Sequence, residues 1–369
     1  MASGTIIELT SGVSPSCPYY LGDGIAGWLP EHLRRHDFDE LYLVTSDALY
    51  TRYGKDLARG LGGDGIPVNV LTVPEGERAK GWPQLTDLCE RLVAAGVTKD
   101  SVIAALGGGM VSNVVGLAAG LIYRGVRFVE IPTTMLNLTD GTLSNKQAIN
   151  GALGKNQFGM YHAPLFIWAD VAYLRGEPPR QHRSAIAEAV KNGLVHDAAW
   201  FERLERLLTP GLEAVREDLL GFCHEVVRSK LGILALDPGE RQAGIILEYG
   251  HTVGHAVEFL TGGRLLHGEA VGIGMCAAAR VAMKLGIAGP EVLERQQYVL
   301  RDRLGSTVRL PDELTSEQIV EVIRRDNKRR SGAAIRFVLV PAVGSVHVVD
   351  GDWETPVPET LLKSVLSEG

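Results

Sequence analysis

The run Leu247-Glu248-Tyr249-Gly250-His251-Thr252-Val253-Gly254-His255, followed closely by Leu266-His267-Gly268-Glu269, gathers three histidines among carboxylates. His251 and His255 are four residues apart, so on a helix they share one face and can offer two imidazoles to one cation. His267 comes after Gly262-Gly263, a break that implies a loop and a return. An HxxxH pair by itself is more often solvated or core histidine than a ligand pair. What tips the balance is the remainder of the chain, which supplies further polar and charged groups at matching places.

Val102 to Leu106 is an apolar, strand-like run that leads into Gly107-Gly108-Gly109, and a helical pattern follows from Ser112 or Asn113. A strand, then glycines, then a helix start lets backbone N–H groups approach a phosphate and adds the helix-end partial charge. A tight strand-to-helix turn with no ligand gives the same residues. Asp47, ending another strand-like run, is placed to bind ribose hydroxyls, or else caps a turn. Pro132-Thr133-Thr134 follows a third such run, so its hydroxyls lie at a sheet's carboxyl edge. Lys146, Lys155 and Asn156 sit among glycines within residues 140–156, and Lys191 follows Glu188 on a helical stretch. Separated lysines near amides and glycines suit a small phosphorylated molecule. The run Asp326-Asn327-Lys328-Arg329-Arg330 reads by itself as solvated charge.

These groups need elements to hold them. Leu41–Thr45, Val68–Val73, Val102–Leu106 and Phe128–Ile131 read as buried strands, with helices such as Trp82–Ala95 between some of them, which implies an α/β unit with a largely parallel sheet. Beyond Gly176 the pattern turns helical: Arg183–Val195, Trp200–Leu208, Leu212–Leu234, Val253–Leu260, Ala270–Leu285 and Pro290–Leu304. Ala334–Val340 and Ser345–Val349 read as a short strand pair. Glu177-Pro178-Pro179 marks the boundary, giving an α/β domain over 1–176 and a mostly α-helical domain over 177–369. The chain has 369 residues, 45% of them apolar and 22% charged, which fits two globular domains of ordinary composition. A net charge of −7 argues against a nucleic-acid surface. Cys17, Cys89, Cys223 and Cys276 are far apart with no CxxC, as expected of reduced thiols in a cytoplasmic protein. No basic stretch precedes an apolar one near the start, and no apolar run is long enough for a bilayer, so neither a secretory leader nor a membrane anchor is expected.

Taken together, Gly107-Gly108-Gly109, Tyr123-Arg124-Gly125, Pro132-Thr133-Thr134, Asp140 with Lys146, Gly154-Lys155-Asn156, Glu188 with Lys191, Gly250-His251-Thr252, His267-Gly268-Glu269-Ala270 and Asp326-Asn327-Lys328 resemble, in order and over nearly the whole length, the sugar phosphate cyclases, the family of 3-dehydroquinate synthase. The resemblance implies a Rossmann-like NAD-binding domain followed by a helical metal-binding domain. It implies a divalent metal, zinc or cobalt, on Glu188, His251 and His267, with His255 near the substrate phosphate instead of on the metal. Asp47, Glu77, Lys80, Gly108, Gly109, Asn113, Thr133, Thr134, Asp140 and Lys155 fall at the family's NAD positions. Lys146, Glu248, His255 and Lys191 fall at catalytic positions, and Asn156, Lys230 and Lys328 at substrate positions. Arg124 matches a residue that reaches a neighbouring subunit's phosphate, which implies a homodimer.

Three departures bear on the substrate. Dehydroquinate synthases usually carry Arg where this chain has Gly244, Asn where it has Glu248 and Asp where it has Asn113. Loss of that Arg removes the natural partner of a substrate carboxylate, so a sugar phosphate with a neutral polyhydroxyl ring is expected instead of a carboxylic acid. Retention of His255 argues against the branch that loses the second histidine of this segment. A metal-dependent polyol dehydrogenase of related architecture, or a non-catalytic relative, remain as other classes.

Overall fold

The computed structural model describes residues 5–10, 17–152, 154–237, 243–325 and 334–368. The chain divides into two compact units, Met1–Glu177 and Pro178–Gly369. In unit 1 the strands are β1 (Ile6–Thr10), β2 (Pro18–Gly22), β3 (Leu41–Ser46), β4 (Val68–Val73), β5 (Val102–Gly107), β6 (Arg127–Pro132), β7 (Lys146–Ile149), β8 (Phe158–Tyr161) and β9 (Ile167–Asp170). Its helices are α1 (Leu29–Leu33), α2 (Asp47–Leu49), α3 (Lys55–Gly63), α4 (Trp82–Ala94), α5 (Gly109–Leu121) and α6 (Met135–Thr139).

Seven strands form one sheet in the order β1-β2-β9-β6-β5-β3-β4, and every neighbouring pair from β2 to β4 is parallel. β3 and β5 are buried at every position, as parallel strands covered on both faces must be. Alternate residues serve opposite layers. Tyr42, Val44, Ile103, Ala105 and Phe128 pack with α4 and α5, while Leu41, Leu43, Val102, Ala104, Leu106, Val129 and Ile131 pack with α1 and α3. The chain runs outward from β3 to β4, then returns to β5 on the other side of β3. That reversal opens a crevice at the strands' carboxyl ends, where ligands of open α/β sheets bind.

A carboxyl is buried in this core. Glu130 of β6 is 2% exposed, and its Oε1 accepts from Gln147 Nε2 at 3.3 Å. Burial pushes it up to about 8 from 4.5, against a smaller opposite effect of the Gln147 bond. The folded state therefore holds this proton more tightly than the unfolded chain does. Stability from the group is full below about pH 4.5 and is lost as pH rises through about 8. Glu130→Gln keeps the shape without the charge. Its thermal midpoint should fall less than wild type's between pH 5 and pH 9, since roughly 1.4 kcal/mol per pH unit is at stake over the window. Parallel melting profiles would show that Glu130 ionises at no cost.

In unit 2 the helices are α7 (Pro179–Val195), α8 (Ala198–Leu207), α9 (Glu213–Glu217), α10 (Leu219–Leu236), α11 (His251–Leu260), α12 (His267–Lys284), α13 (Pro290–Gln297), α14 (Ser316–Arg324) and α15 (Glu359–Ser367), with one strand pair, β10 (Ile335–Phe337) and β11 (Thr355–Val357). α7 is buried continuously from Ser184 to Val195, and α12 at nearly every position from Gly268 to Ala282, so these two helices are the interior of the unit. Two expectations are corrected here. The helix expected over 212–234 is two helices, because Asp218 leaves helical geometry and its carboxylate caps α10 by accepting from the Gly221 amide at 2.9 Å. The partner of the strand at 335–337 is 355–357, and within 345–349 only Val349 makes a bridge, to Asp352. Among the described residues no helix is long and apolar enough to cross a membrane.

Candidate metal centre and cofactor crevice

Glu188, His251 and His267 come together in unit 2, each offering a ligand atom within 4.8 Å of the others. Glu188 Oε1 lies 3.6 Å from His251 Nε2 and 3.3 Å from His267 Nε2. Glycines make this approach possible. A Cβ on Gly268 would lie 1.8 Å from the Ser184 carbonyl oxygen, so only glycine lets the start of α12 lie against α7. The Gly268 amide donates to Ser184 Oγ at 2.9 Å in the same place. A Cβ on Gly274 would lie 1.9 Å from the Gly250 oxygen, so α12 also passes tightly under the start of α11. Gly250 itself has φ +79°, which turns the chain directly into His251. Arg180 grips Glu269 with two bonds of 2.7 Å, tying the first turns of α7 and α12.

The electrostatics suit a cation. Burial alone would raise the Glu188 carboxyl, but the Lys191 ammonium paired with it, with His251 and His267, holds it well below the usual carboxylate range. Burial and the Lys191 charge keep His251 well below its ordinary value, hence neutral and ready to donate a lone pair. His267 differs: burial opposes its charge, yet Glu258 and Glu188 push it up to about 10, so a metal arriving here displaces a proton. One carboxylate and two imidazoles, nearly dry, are the donor set of zinc or cobalt, with positions left for a ligand's oxygens. The expectation from helix spacing that His251 and His255 form the ligand pair is corrected. His255 does share the face of α11, its ring 5.1 Å from that of His251 and 5.9 Å from that of His267, but the three converging donor groups are Glu188, His251 and His267.

Unit 1 holds a second convergence, at the β3/β5 crevice. Gly108 is extended and precedes α5, which starts at Gly109, earlier than the expected Ser112 or Asn113, because the last of the three glycines is already the first helical residue. A Cβ on Gly108 would press on Thr134 Cγ2 at 3.1 Å, so this backbone approaches its neighbours closely. Next to it, Thr133 Oγ1 is buried and has no hydrogen-bond partner among the described residues. A bare helix start beside an orphaned hydroxyl fits a pyrophosphate. Thr134 instead caps α6, accepting from the Asn137 amide at 3.3 Å. Asp47 opens α2 at the tip of β3, exposed, after the Ser46 cap. Glu77, Lys80, Lys155 and Asn156 form one network. Lys155 Nζ is 3.0 Å from Glu77 Oε1, and Lys80 Nζ donates to Asn156 Oδ1 at 2.6 Å. Asn150, which the sequence did not single out, stitches it together by donating to Glu77 at 2.8 Å and accepting from the Asn156 amide at 3.0 Å. Asn113 accepts from the Ala148 amide at 3.2 Å and so anchors β7, the strand that starts at Lys146.

Of the other expected residues, Asp140 follows α6 and Arg124 lies in an exposed turn where Tyr123 and Arg124 both have positive φ, 51° and 67°. In unit 2, Lys191 and Lys230 are buried on α7 and α10. Glu248 is close enough to His251 for its charge to act on that ring. The Gly244 amide donates to Asp237 Oδ2 at 2.9 Å. Lys328, with the rest of the 326–330 run, lies outside the described residues. Besides Asn150, two residues of unit 2 escaped the sequence reading, Glu258 and Tyr249. Glu258 Oε2 is 3.0 Å from His267 Nδ1, and the Tyr249 carbonyl is 3.2 Å from His251 Nδ1. Glu258 was signalled by its place seven residues after His251, on the same helix face.

The pattern of the 3-dehydroquinate synthase N-terminal domain matches residues 70–184, and that of the C-terminal domain residues 185–329. A 2-deoxy-scyllo-inosose synthase of Streptoalloteichus tenebrarius is 37% identical over 356 residues, covering 95% of this chain and 92% of that protein. A 3-dehydroquinate synthase of a Synechococcus species is 37% identical over 332 residues, covering 89% of this chain and 88% of the other. A crystal structure of 2-deoxy-scyllo-inosose synthase complexed with carbaglucose-6-phosphate, NAD+ and Co2+ superposes with a TM-score of 0.90 at 30% identity, covering 99% of this chain and 100% of that one.

Proposed function

The chain belongs to the family of 3-dehydroquinate synthase, the sugar phosphate cyclases, and from that premise we propose that it converts D-glucose 6-phosphate to 2-deoxy-scyllo-inosose, the carbocycle of aminoglycoside antibiotics. Relatives of both activities are equally identical to it, so the choice rests on the chain's own residues. The observation that carries it is Glu248 beside His251 together with glycine at 244. Negative charge there, without an arginine at 244, disfavours a carboxylic-acid substrate and suits a polyhydroxyl ring whose hydroxyls donate to Glu248. Retention of His255 supports this branch over that of 2-epi-5-epi-valiolone synthase.

Glu188, His251 and His267 hold a divalent metal, and the Gly108–Gly109 helix start with Thr133 receives the NAD phosphates. Asp47, Glu77, Lys80, Asn113, Thr134, Asp140 and Lys155 complete the cofactor's surroundings. Held there, NAD would supply reversible hydride acceptance at carbon 4, and a metal on Glu188, His251 and His267 would supply Lewis-acid polarisation of substrate oxygens. The ketone stage makes the proton at carbon 5 acidic, and its removal lets phosphate leave carbon 6. Once the hydride is back on carbon 4, the bond between carbon 1 and the ring oxygen opens to an aldehyde and an enol, and carbon 6 of the enol attacks the carbon 1 aldehyde. Lys146, Lys191, Lys230, Lys328 and Asn156 bind and orient the phosphorylated sugar, His255 serves the phosphate, and Glu248 orients a hydroxyl or moves its proton. The test is incubation with glucose 6-phosphate and a trace of NAD+, following phosphate and the carbocyclic ketone. Many turnovers per NAD+ without accumulating NADH are expected. NADH formed in step with product would identify a polyol dehydrogenase instead.

The working form proposed is a homodimer in which Arg124 reaches the phosphate bound by its partner. Its support is the match of Tyr123-Arg124-Gly125 to the family's cross-subunit phosphate contact, with Tyr123 and Arg124 exposed in a turn whose three residues all have positive φ. Arg124→Ala should raise KM for glucose 6-phosphate roughly 10- to 100-fold, the loss of a charged hydrogen bond of about 1.5–3 kcal/mol. A monomer that is fully active at assay concentration excludes the arrangement.

A further inference from the structure

We propose that Glu258 is the positioning residue that fixes His267 for metal binding, an inference that rests on the reading of Glu188, His251 and His267 as the metal ligands. A neutral imidazole has one N–H and one lone pair, and its neighbours decide which nitrogen carries which. Glu258 Oε2 lies 3.0 Å from His267 Nδ1. A carboxylate there accepts a hydrogen bond, so Nδ1 carries the hydrogen. The lone pair is left on Nε2, the atom 3.3 Å from Glu188 Oε1. The same bond spans the loop between α11 and α12, because Glu258 lies in the last turn of α11 and His267 is the first residue of α12. Glu258 is buried, 9% exposed, so water competes weakly for the contact.

His251 is oriented differently. Its Nδ1 faces the Tyr249 carbonyl at 3.2 Å, and the Tyr249 hydroxyl is itself held by Gln296 Oε1 at 2.9 Å. Both imidazoles thus present Nε2 to Glu188, one backed by a neutral carbonyl and the other by a charged carboxylate. The carboxylate makes His267 the stronger donor of the two, and it adds a negative charge close to the cation. Lys191 offsets the carboxylate of Glu188, with which it is paired, so the Glu258 carboxylate restores a negative charge on the His267 side of the metal position.

The experiment is a cobalt(II) titration of metal-free full-length protein against a chromophoric chelator, with the visible spectrum of the cobalt form recorded for wild type, Glu258→Gln and Glu258→Ala. Glu258→Ala should bind cobalt roughly 10- to 100-fold more weakly, the usual effect of losing an outer-shell carboxylate, with an altered ligand-field spectrum. Glu258→Gln keeps an acceptor for Nδ1–H but loses the charge, so it should fall between wild type and Glu258→Ala. A role confined to holding the fold would lower the melting temperature and leave cobalt affinity and spectrum alone. Affinities within about twofold of wild type with unchanged spectra in both variants overturn the proposal. If Glu258→Ala does not fold, Glu258→Gln decides by the same criterion. Wild type that takes up no cobalt would instead refute the metal reading beneath it.

Discussion

His251→Ala protein should emerge from purification without its divalent metal and should release no measurable phosphate from glucose 6-phosphate. His251 supplies one of only two imidazoles in the cluster, and its Nε2 lies 3.6 Å from Glu188 Oε1. Burial and Lys191 keep it neutral, so it is a ready ligand that no proton must leave. Two donors remain after the change, Glu188 and His267, and His267 is the one that carries a proton when no metal is present. The affinity loss should therefore exceed the roughly 10- to 100-fold typical of outer-shell changes. Metal content by elemental analysis and phosphate release by a coupled assay check the two halves separately. The fold should survive, since the neighbouring helices are set by Gly250, Gly268 and Gly274 and not by the imidazole. Full activity of wild type in a rigorously metal-free preparation would sink the metal assignment.

The metal centre was legible from the sequence in its residue types and not in its membership. Periodicity shows that His251 and His255 share a helix face, and they do. It cannot show that α12 returns to lie against α7, because that depends on Gly268 meeting Ser184 without a side chain between them. Glu188 therefore entered by family resemblance alone. The parallel sheet was easier to read, since strands buried on both faces are continuous apolar runs such as Val102–Leu106. Breaks governed by one polar side chain were not. Asp218 divides an apolar-periodic stretch because its carboxylate binds the Gly221 amide, a local competition that periodicity does not register. Buried polar partners such as Glu130 with Gln147 were equally invisible, since the pairing joins β6 to β7 across an intervening helix.

Substrate choice should turn on Glu248. With glucose 6-phosphate and the heptulosonate 7-phosphate of dehydroquinate synthase assayed side by side, wild type should turn over the first and scarcely the second. A carboxylate substrate would meet Glu248 near His251 and find glycine, not arginine, at 244. Glu248→Gln keeps shape and one acceptor oxygen but removes charge and basicity. If Glu248 only accepts hydroxyl hydrogen bonds, kcat/KM for glucose 6-phosphate should fall roughly 10- to 100-fold, the value of a charged bond at about 1.5–3 kcal/mol, and mostly through KM. If it moves a proton, the loss should be roughly 100- to 10,000-fold and lie in kcat. The two outcomes separate its roles while both keep the substrate. The heptulosonate should remain poor in the variant, because removing one negative charge does not supply the missing arginine. A wild-type preference for the heptulosonate, or a Glu248→Gln protein as fast as wild type on glucose 6-phosphate, would move the chain to another branch of its family.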